Sequence, residues 1–223
     1  MKTFLLLIST IFFYIDLAYA NTPESILKER KSVTPLVVES DIYAKPDYFN
    51  NSNNLARKPG SPFLAQGESL RIEGNLNALF NVPIENATVC IWQTNSRGYY
   101  NHLVEDKMDA TKYDADFAGN GCAITDNLGK FAFLTIMPTW YGNRAIHVHF
   151  LIWTEYLKHE VEVEMLFPNH PRNQIDNKYR QMDPKSRSTT TCLLRNINPE
   201  NPLDGKIAYF NIKLDVLHPK KKY

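Results

Sequence analysis

Six separate runs of the chain read as short strands, and several of them alternate apolar and polar positions with a period of two. They are "SLRIEGNL" (69–76), "ATVCIWQT" (87–94), "KFAFLTIM" (130–137), "AIHVHFLIW" (145–153), "EVEVEMLF" (160–167) and "KIAYFNIKLDV" (206–216). That period belongs to a pleated strand, and the intervening "TDNLGK" and "FPNHPRNQIDNK" are rich in turn formers. Six such runs predict a mainly β protein, an antiparallel β-sandwich. Before them, residues 21–60 form an irregular N-terminal arm: "NTPE" opens a short helix through Arg30, and "KPDYFNNSNNLARKPGSP" is loop-like. Helical periodicity is weak elsewhere, and there is no internal repeat.

Two runs carry polar residues in a pattern that matters. In "EVEVEM", Glu160, Glu162 and Glu164 share one face while Val161, Val163 and Met165 share the other, which predicts a sheet with one wet face. In "AIHVHFLIW", His147 and His149 point together and Ile146 and Val148 point oppositely. Both imidazoles can then reach one point.

Composition adds context. The 223 residues are 43% hydrophobic and 22% charged, the make-up of a globular domain. Residues 1–20 carry Lys2, an apolar stretch and the small-x-small ending Ala18-Tyr19-Ala20, the pattern of a secretory signal peptide cleaved after Ala20. The expected location is secreted or periplasmic, with no membrane association after cleavage. Lys2 and Asp16 leave together, so the formal charge stays at +1, and no broad field favours nucleic acid or anionic lipid. The "HPKKKY" end reads as solvated. Of the three cysteines, Cys90, Cys122 and Cys192, one pair can bridge in an oxidising compartment and one thiol is left over. The sequence does not choose the pair.

Imidazole suits iron, copper, nickel and zinc alike, so His-x-His alone does not identify an ion. The usual zinc spacings are missing, and Glu155 at the strand end lacks the surroundings of a cupin site. Nearby tyrosine changes the picture. A phenol with a free pKa near 10 ligates only a metal acidic enough to displace its proton, for which ferric iron is the obvious candidate. Two phenolates and two neutral imidazoles leave a ferric centre with one positive charge, which a hydroxide cancels.

At these residues the chain resembles the intradiol ring-cleaving dioxygenases of the protocatechuate 3,4-dioxygenase and catechol 1,2-dioxygenase type. "VPIENATVCIWQTNSRGYYNH" (82–102) is similar to the family segment that ends in Gly-x-Tyr-x-His. "DADFAGNGCAITDNLGKFAFLTIMP" (114–138) is similar to the run leading into the site, and "WYGNRAIHVHF" (140–150) resembles the Tyr, Arg-x-x-His-x-His signature. The resemblance implies a non-haem Fe(III) cofactor held by Tyr100, Tyr141, His147 and His149, with Tyr141 the ligand that leaves when substrate arrives. It implies that Arg144 steadies a catecholate, that Trp140 walls the pocket unless it joins the core, and that the partners are a catechol and O₂, the product being a muconate-type diacid. Residues 61–223 would be the catalytic domain.

Three departures stand out. "YGN" gives a very short connection between the second tyrosine and the arginine. Glu164 falls where the family carries a substrate-holding glutamine; it is either a substrate contact that would repel an anionic catecholate or a carboxylate on the wet face. No helical dimerisation domain fits before Ser69, so the oligomer stays open. The "SVTPLVVESDIYAKPDY" lead-in (32–48) is faintly similar to the family's own. A competing reading is a non-catalytic secreted module of the transthyretin or carboxypeptidase-regulatory kind, and a third keeps the site but fills it with copper or zinc.

Overall fold

A computed structural model describes residues 22–37 and 45–217. The expected signal peptide, part of the 32–48 lead-in and the "HPKKKY" end lie outside the described residues. Among the described residues no helix is long and apolar enough to cross a membrane.

The elements are α1 (Pro23–Arg30), β1 (Ser69–Asn77), β2 (Thr88–Trp92), β3 (Asn120–Ile124), β4 (Lys130–Ile136), β5 (His147–Trp153), β6 (Val161–Leu166), α2 (Asn177–Gln181), α3 (Pro184–Thr190), β7 (Leu193–Asn196), β8 (Lys206–Tyr209) and β9 (Ile212–Lys213). Helix α1 starts where expected because the Thr22 hydroxyl accepts from the Ser25 amide at 3.3 Å and Pro23 occupies the first turn. Two strands escaped the period-two reading. β3 is "NGCAI", with little apolar signal, and β7 has four residues, mostly exposed. Helices α2 and α3 are too short to show a period and are set by their caps, Asp176 and Asp183.

The strands form two sheets, one in the order β4-β1-β8-β7 with β9 also on β1, the other in the order β3-β2-β5-β6. The sandwich is therefore present, with one correction: β8 and β9 pair with β1 in parallel. The expected run 206–216 breaks at Phe210 and Asn211. The Phe210 amide donates to the Glu73 carbonyl at 2.8 Å, and the Asn75 amide donates to the Asn211 side chain at 3.0 Å. Gly74 makes this crossing possible, since a Cβ there would lie 1.8 Å from the Phe210 carbonyl oxygen.

Between the sheets lies the core: Leu70, Ile72 and Phe133 face Val89, Ile91, Val148, Phe150, Ile152 and Val163, all fully buried. Phe150 ties the layers together, with ring centroids 5.9 Å from Phe131 and 5.2 Å from Phe210. The arm adds to this core, for Leu55 is fully buried and its amide donates to the Leu134 carbonyl at 2.7 Å. Cys90 and Cys122 are direct partners across β2 and β3 and are disulfide-bonded. Cys192 is buried and free, and burial pushes its thiol up to about 12.

Candidate metal centre

The face of β5 that turns away from the core carries His147 and His149. Strand register then decides their neighbours, because Trp92 on β2 and Glu164 on β6 both stand directly opposite His149. The face expected to be wet is therefore the face of the site. Glu160 is exposed as expected, but Glu162 and Glu164 are buried. Alternation placed these carboxylates on the correct side of the sheet; loops and helix α2 cover that side.

Tyr100 arrives from the loop after β2. Asn95 shapes this loop, its side-chain oxygen accepting from the Arg97 amide at 2.9 Å and the Tyr99 amide at 3.2 Å. Gly98 turns at φ 84° where a Cβ would stand 2.6 Å from the Trp140 carbonyl oxygen. Asn101 anchors the far side by donating to the carbonyls of Asp114 and Phe117 at 2.7 and 2.9 Å. Tyr100 is left only 2% exposed.

Its phenol oxygen lies 3.2 Å from His147 Nε2 and 3.0 Å from His149 Nε2, and the two Nε2 atoms are 3.0 Å apart. The opposite ring nitrogens fix the tautomers. His147 Nδ1 faces the Ala145 carbonyl at 2.7 Å and His149 Nδ1 faces Glu162 Oε1 at 2.9 Å; both partners accept, so both Nδ1 atoms carry the proton. The Nε2 lone pairs then point at each other and at the phenol, which has one proton to offer. Burial first, and repulsion by His149 next, lower the His147 pKa to about 3, so its ring is neutral near pH 7. Two imidazole lone pairs and a phenol oxygen gathered around one point are arranged for a cation. Metal–nitrogen bonds of about 2.1 Å at right angles set ligand atoms roughly 3 Å apart, in keeping with the spacings here. Trp92 stacks on the His149 ring at 4.5 Å and 5° and limits its rotation.

Arg144 adjoins this cluster in a charge network. Its Nη2 donates to Glu164 Oε2 at 2.8 Å and its Nε to Asp176 Oδ2 at 3.1 Å. Burial works against its charge, but the two carboxylates outweigh burial and raise its pKa. Lys178 Nζ donates to Glu164 Oε1 at 2.8 Å. Burial alone would push the Glu164 carboxyl up, yet Arg144 and Lys178, bonded to its two oxygens, hold it below the usual carboxylate range. Glu164 is thus an ionised carboxylate, matched by Arg144 and Lys178. Asp176 also accepts the Ala145 amide at 2.8 Å and caps α2, so one residue sets Arg144, α2 and the backbone that holds His147. Burial raises its pKa, but the Ala145 amide and Arg144 bring it down overall.

Of the residues expected in the site, Tyr100, His147 and His149 come within hydrogen-bonding distance of one another, with Arg144 and Glu164 adjoining. Tyr141 joins through its ring, edge-on to Tyr100 at 5.3 Å, and is 40% exposed. Trp140 is not a core residue: it is 43% exposed, with the Arg172 guanidinium 4.7 Å from its ring centre. The sequence reading missed the parts played by Glu162, Asp176, Lys178 and Trp92. Glu164 offers a further donor, its carboxylate within 4.8 Å of the nearest His147 and His149 nitrogens, but both its oxygens are bonded to cations while Tyr100 faces the Nε2 atoms directly.

The structure thus sets a buried Tyr-His-His cluster on the outer face of one sheet of a two-sheet β fold. A profile of the family described as Dioxygenase matches residues 39–215. The protocatechuate 3,4-dioxygenase beta chain of Burkholderia cepacia is 36% identical over 140 residues, covering 58% of this chain and 57% of that protein. Among solved structures, the dioxygenase domain of a carbohydrate-binding fusion protein from Streptomyces sp. SirexAA-E superposes with a TM-score of 0.62 at 22% identity, covering 83% of this chain and 99% of that one. An intradiol ring-cleavage dioxygenase from Tetranychus urticae gives 0.61 at 20%, covering 85% and 98%. The chain belongs to the intradiol ring-cleavage dioxygenase family. It spans about half the length of the curated relatives it matches.

Proposed function

We propose that the protein is a non-haem Fe(III) dioxygenase that opens a catechol-type ring between its two hydroxyls, using O₂ and giving a muconate-type diacid. One observation carries this reading: a buried phenol oxygen and two imidazole Nε2 atoms, all within 3.2 Å of one another, with both Nδ1 protons already engaged. Tyr100, His147 and His149 would hold the ion, with Tyr141 as the fourth, displaceable ligand on the exposed side. The ion would act as a Lewis acid and template that makes a bound catecholate electron-rich enough to meet O₂.

The chain's own groups do the rest. Glu162 accepts the proton of His149 Nδ1 and the Ala145 carbonyl accepts that of His147, which fixes both tautomers and aims both Nε2 lone pairs at the cluster. Trp92 closes one side of the His149 ring and excludes water from it. Arg144 presents a permanent positive charge beside the cluster, where it can oppose the negative charge of a bound catecholate. Its two carboxylate partners fix the guanidinium in place. A non-catalytic module has no need of such a cluster, and no observation favours that reading. Export is proposed as well, supported by the disulfide between Cys90 and Cys122, since such bonds persist in oxidising compartments.

Iron analysis and oxygen uptake with a panel of catechols, run on the protein starting at Asn21, test the proposal. The expected result is about one iron per chain, a red-brown colour from phenolate-to-iron charge transfer, and oxygen consumed with at least one catechol. Colourless, metal-free protein from iron-replete cells would overturn it; bound copper or zinc would replace iron in the site. Arg144→Ala should keep iron and colour while losing most turnover.

A further inference from the structure

The cavity that opens on the two tyrosines has a charge that the metal chemistry does not require. It measures about 420 Å³, and Tyr100 and Tyr141 form part of its wall, a size within the ~300–1,000 Å³ range of small-molecule sites. Leu103 and Val104 supply an apolar strip beside them, and the remaining charged wall consists of Glu105, Asp106, Asp109 and Lys112. Three carboxylates against one ammonium leave two net negative charges. Lys112 is committed to Asp109, at 3.3 Å, and neither Glu105 nor Asp106 has an ion-pair partner among the described residues.

The neighbouring cations are turned elsewhere. Lys107 folds back to donate to the carbonyls of Asn101, at 2.9 Å, and Val104, with its ammonium 5.0 Å from the centre of the Tyr113 ring. Arg144 is shared between Glu164 and Asp176, and Lys178 is bonded to Glu164. Among the residues that line the cavity, none offers an uncommitted cation to receive a carboxylate on a substrate ring. Tyr99, 37% exposed and also in the wall, offers instead an aromatic face of the kind that attracts ammonium groups.

We propose that this cavity selects catechols whose ring substituent is cationic or uncharged and discriminates against those bearing a carboxylate. The inference rests on the dioxygenase reading above and names its substrate class. With both hydroxyls directed at the Tyr-His-His cluster, the far edge of the ring extends along Leu103 and Val104 toward Glu105 and Asp106. A cationic substituent there is attracted and an anionic one repelled. Because both acids are exposed, water and salt weaken the effect, and the expected discrimination between the two charge types is about tenfold at low ionic strength.

The test uses iron-loaded protein and three rings: an aminoethyl-substituted catechol, a methyl-substituted catechol and the carboxylated catechol protocatechuate. Dissociation constants are read anaerobically from the change in visible absorption, and kcat/KM from oxygen uptake. The expected order in both is amine, then methyl, then carboxylate, with the spread shrinking as salt is raised and collapsing in the Glu105→Gln/Asp106→Asn double variant. If the methyl-substituted ring binds and is cleaved but the order is flat or reversed, or survives the double variant, the charge inference is wrong and the dioxygenase reading stands. If none of the three rings perturbs the spectrum or consumes oxygen, both fall together.

Discussion

One strand, β5, shows two kinds of surface a residue apart. Val148, Phe150 and Ile152 face the other sheet and meet only apolar neighbours; His147 and His149 face outward and meet particular atoms of Tyr100, Glu162 and Ala145. The inner face requires shape and volume, so another apolar residue of similar size is tolerated there. The outer face is polar and nearly dry, so each group depends on one partner, and losing that partner leaves its charge or lone pair unmatched. The two faces should therefore fail differently when altered.

The largest effect is expected on the outer face. Tyr100→Phe or His149→Ala removes a donor from the cluster and should abolish nearly all bound iron and visible colour, measured by metal analysis and absorbance, with the fold retained by circular dichroism. A variant that kept full colour would show that the ion is held elsewhere. Next, Phe150→Ala on the inner face should cost about 3–5 kcal/mol of stability while leaving the outer donors in place, which denaturant unfolding and iron content together would show. Equal loss of iron at equal folded fraction would mean that the faces are not independent.

Acid should distinguish the faces again. Between pH 6.5, where an unfolded histidine titrates, and about 3, where His147 does in the fold, the unfolded chain binds a proton that the native chain refuses. Stability therefore falls as pH falls through that window, by about 5 kcal/mol or roughly 10–20 °C in Tm. Glu164 adds to the same trend below 4.5, since Arg144 and Lys178 lower its folded value. His147→Gln should flatten the upper part of the profile in melts of metal-free protein. The smallest change is Glu162→Gln, which keeps the shape but weakens the hold on the His149 proton. It should lower metal affinity about 10- to 100-fold and shift the charge-transfer band without unfolding the chain.

This contrast also explains what was legible in the sequence. Val148, Phe150 and the other inward residues announce themselves by alternation, which depends only on the chain's own geometry. β3 and β7 did not, because one is masked by Asn120 and Gly121 and the other is short and mostly exposed; pairing with β2 and β8 makes them strands. In the site, the two histidines were readable as a pair from their spacing, and Tyr100 through resemblance. Glu162 was assigned to solvent, and Glu164 was left between a substrate contact and the wet face, because alternation says which side a residue takes and nothing about what covers that side. Lys178 and Asp176 belong to a short capped helix that only the fold brings over β6.

The two sheets differ in how far along the chain their strands must come together. Every strand of the sheet that bears the histidines lies between Thr88 and Leu166, whereas the other sheet joins Leu70 to Lys206 and cannot close until the last part of the chain has been made. Distant pairings form slowly. The histidine sheet can therefore align its ladder early, while its apolar side still awaits β8 and β9, and during that interval Val148 and Phe150 are the surface most in need of shelter from other chains.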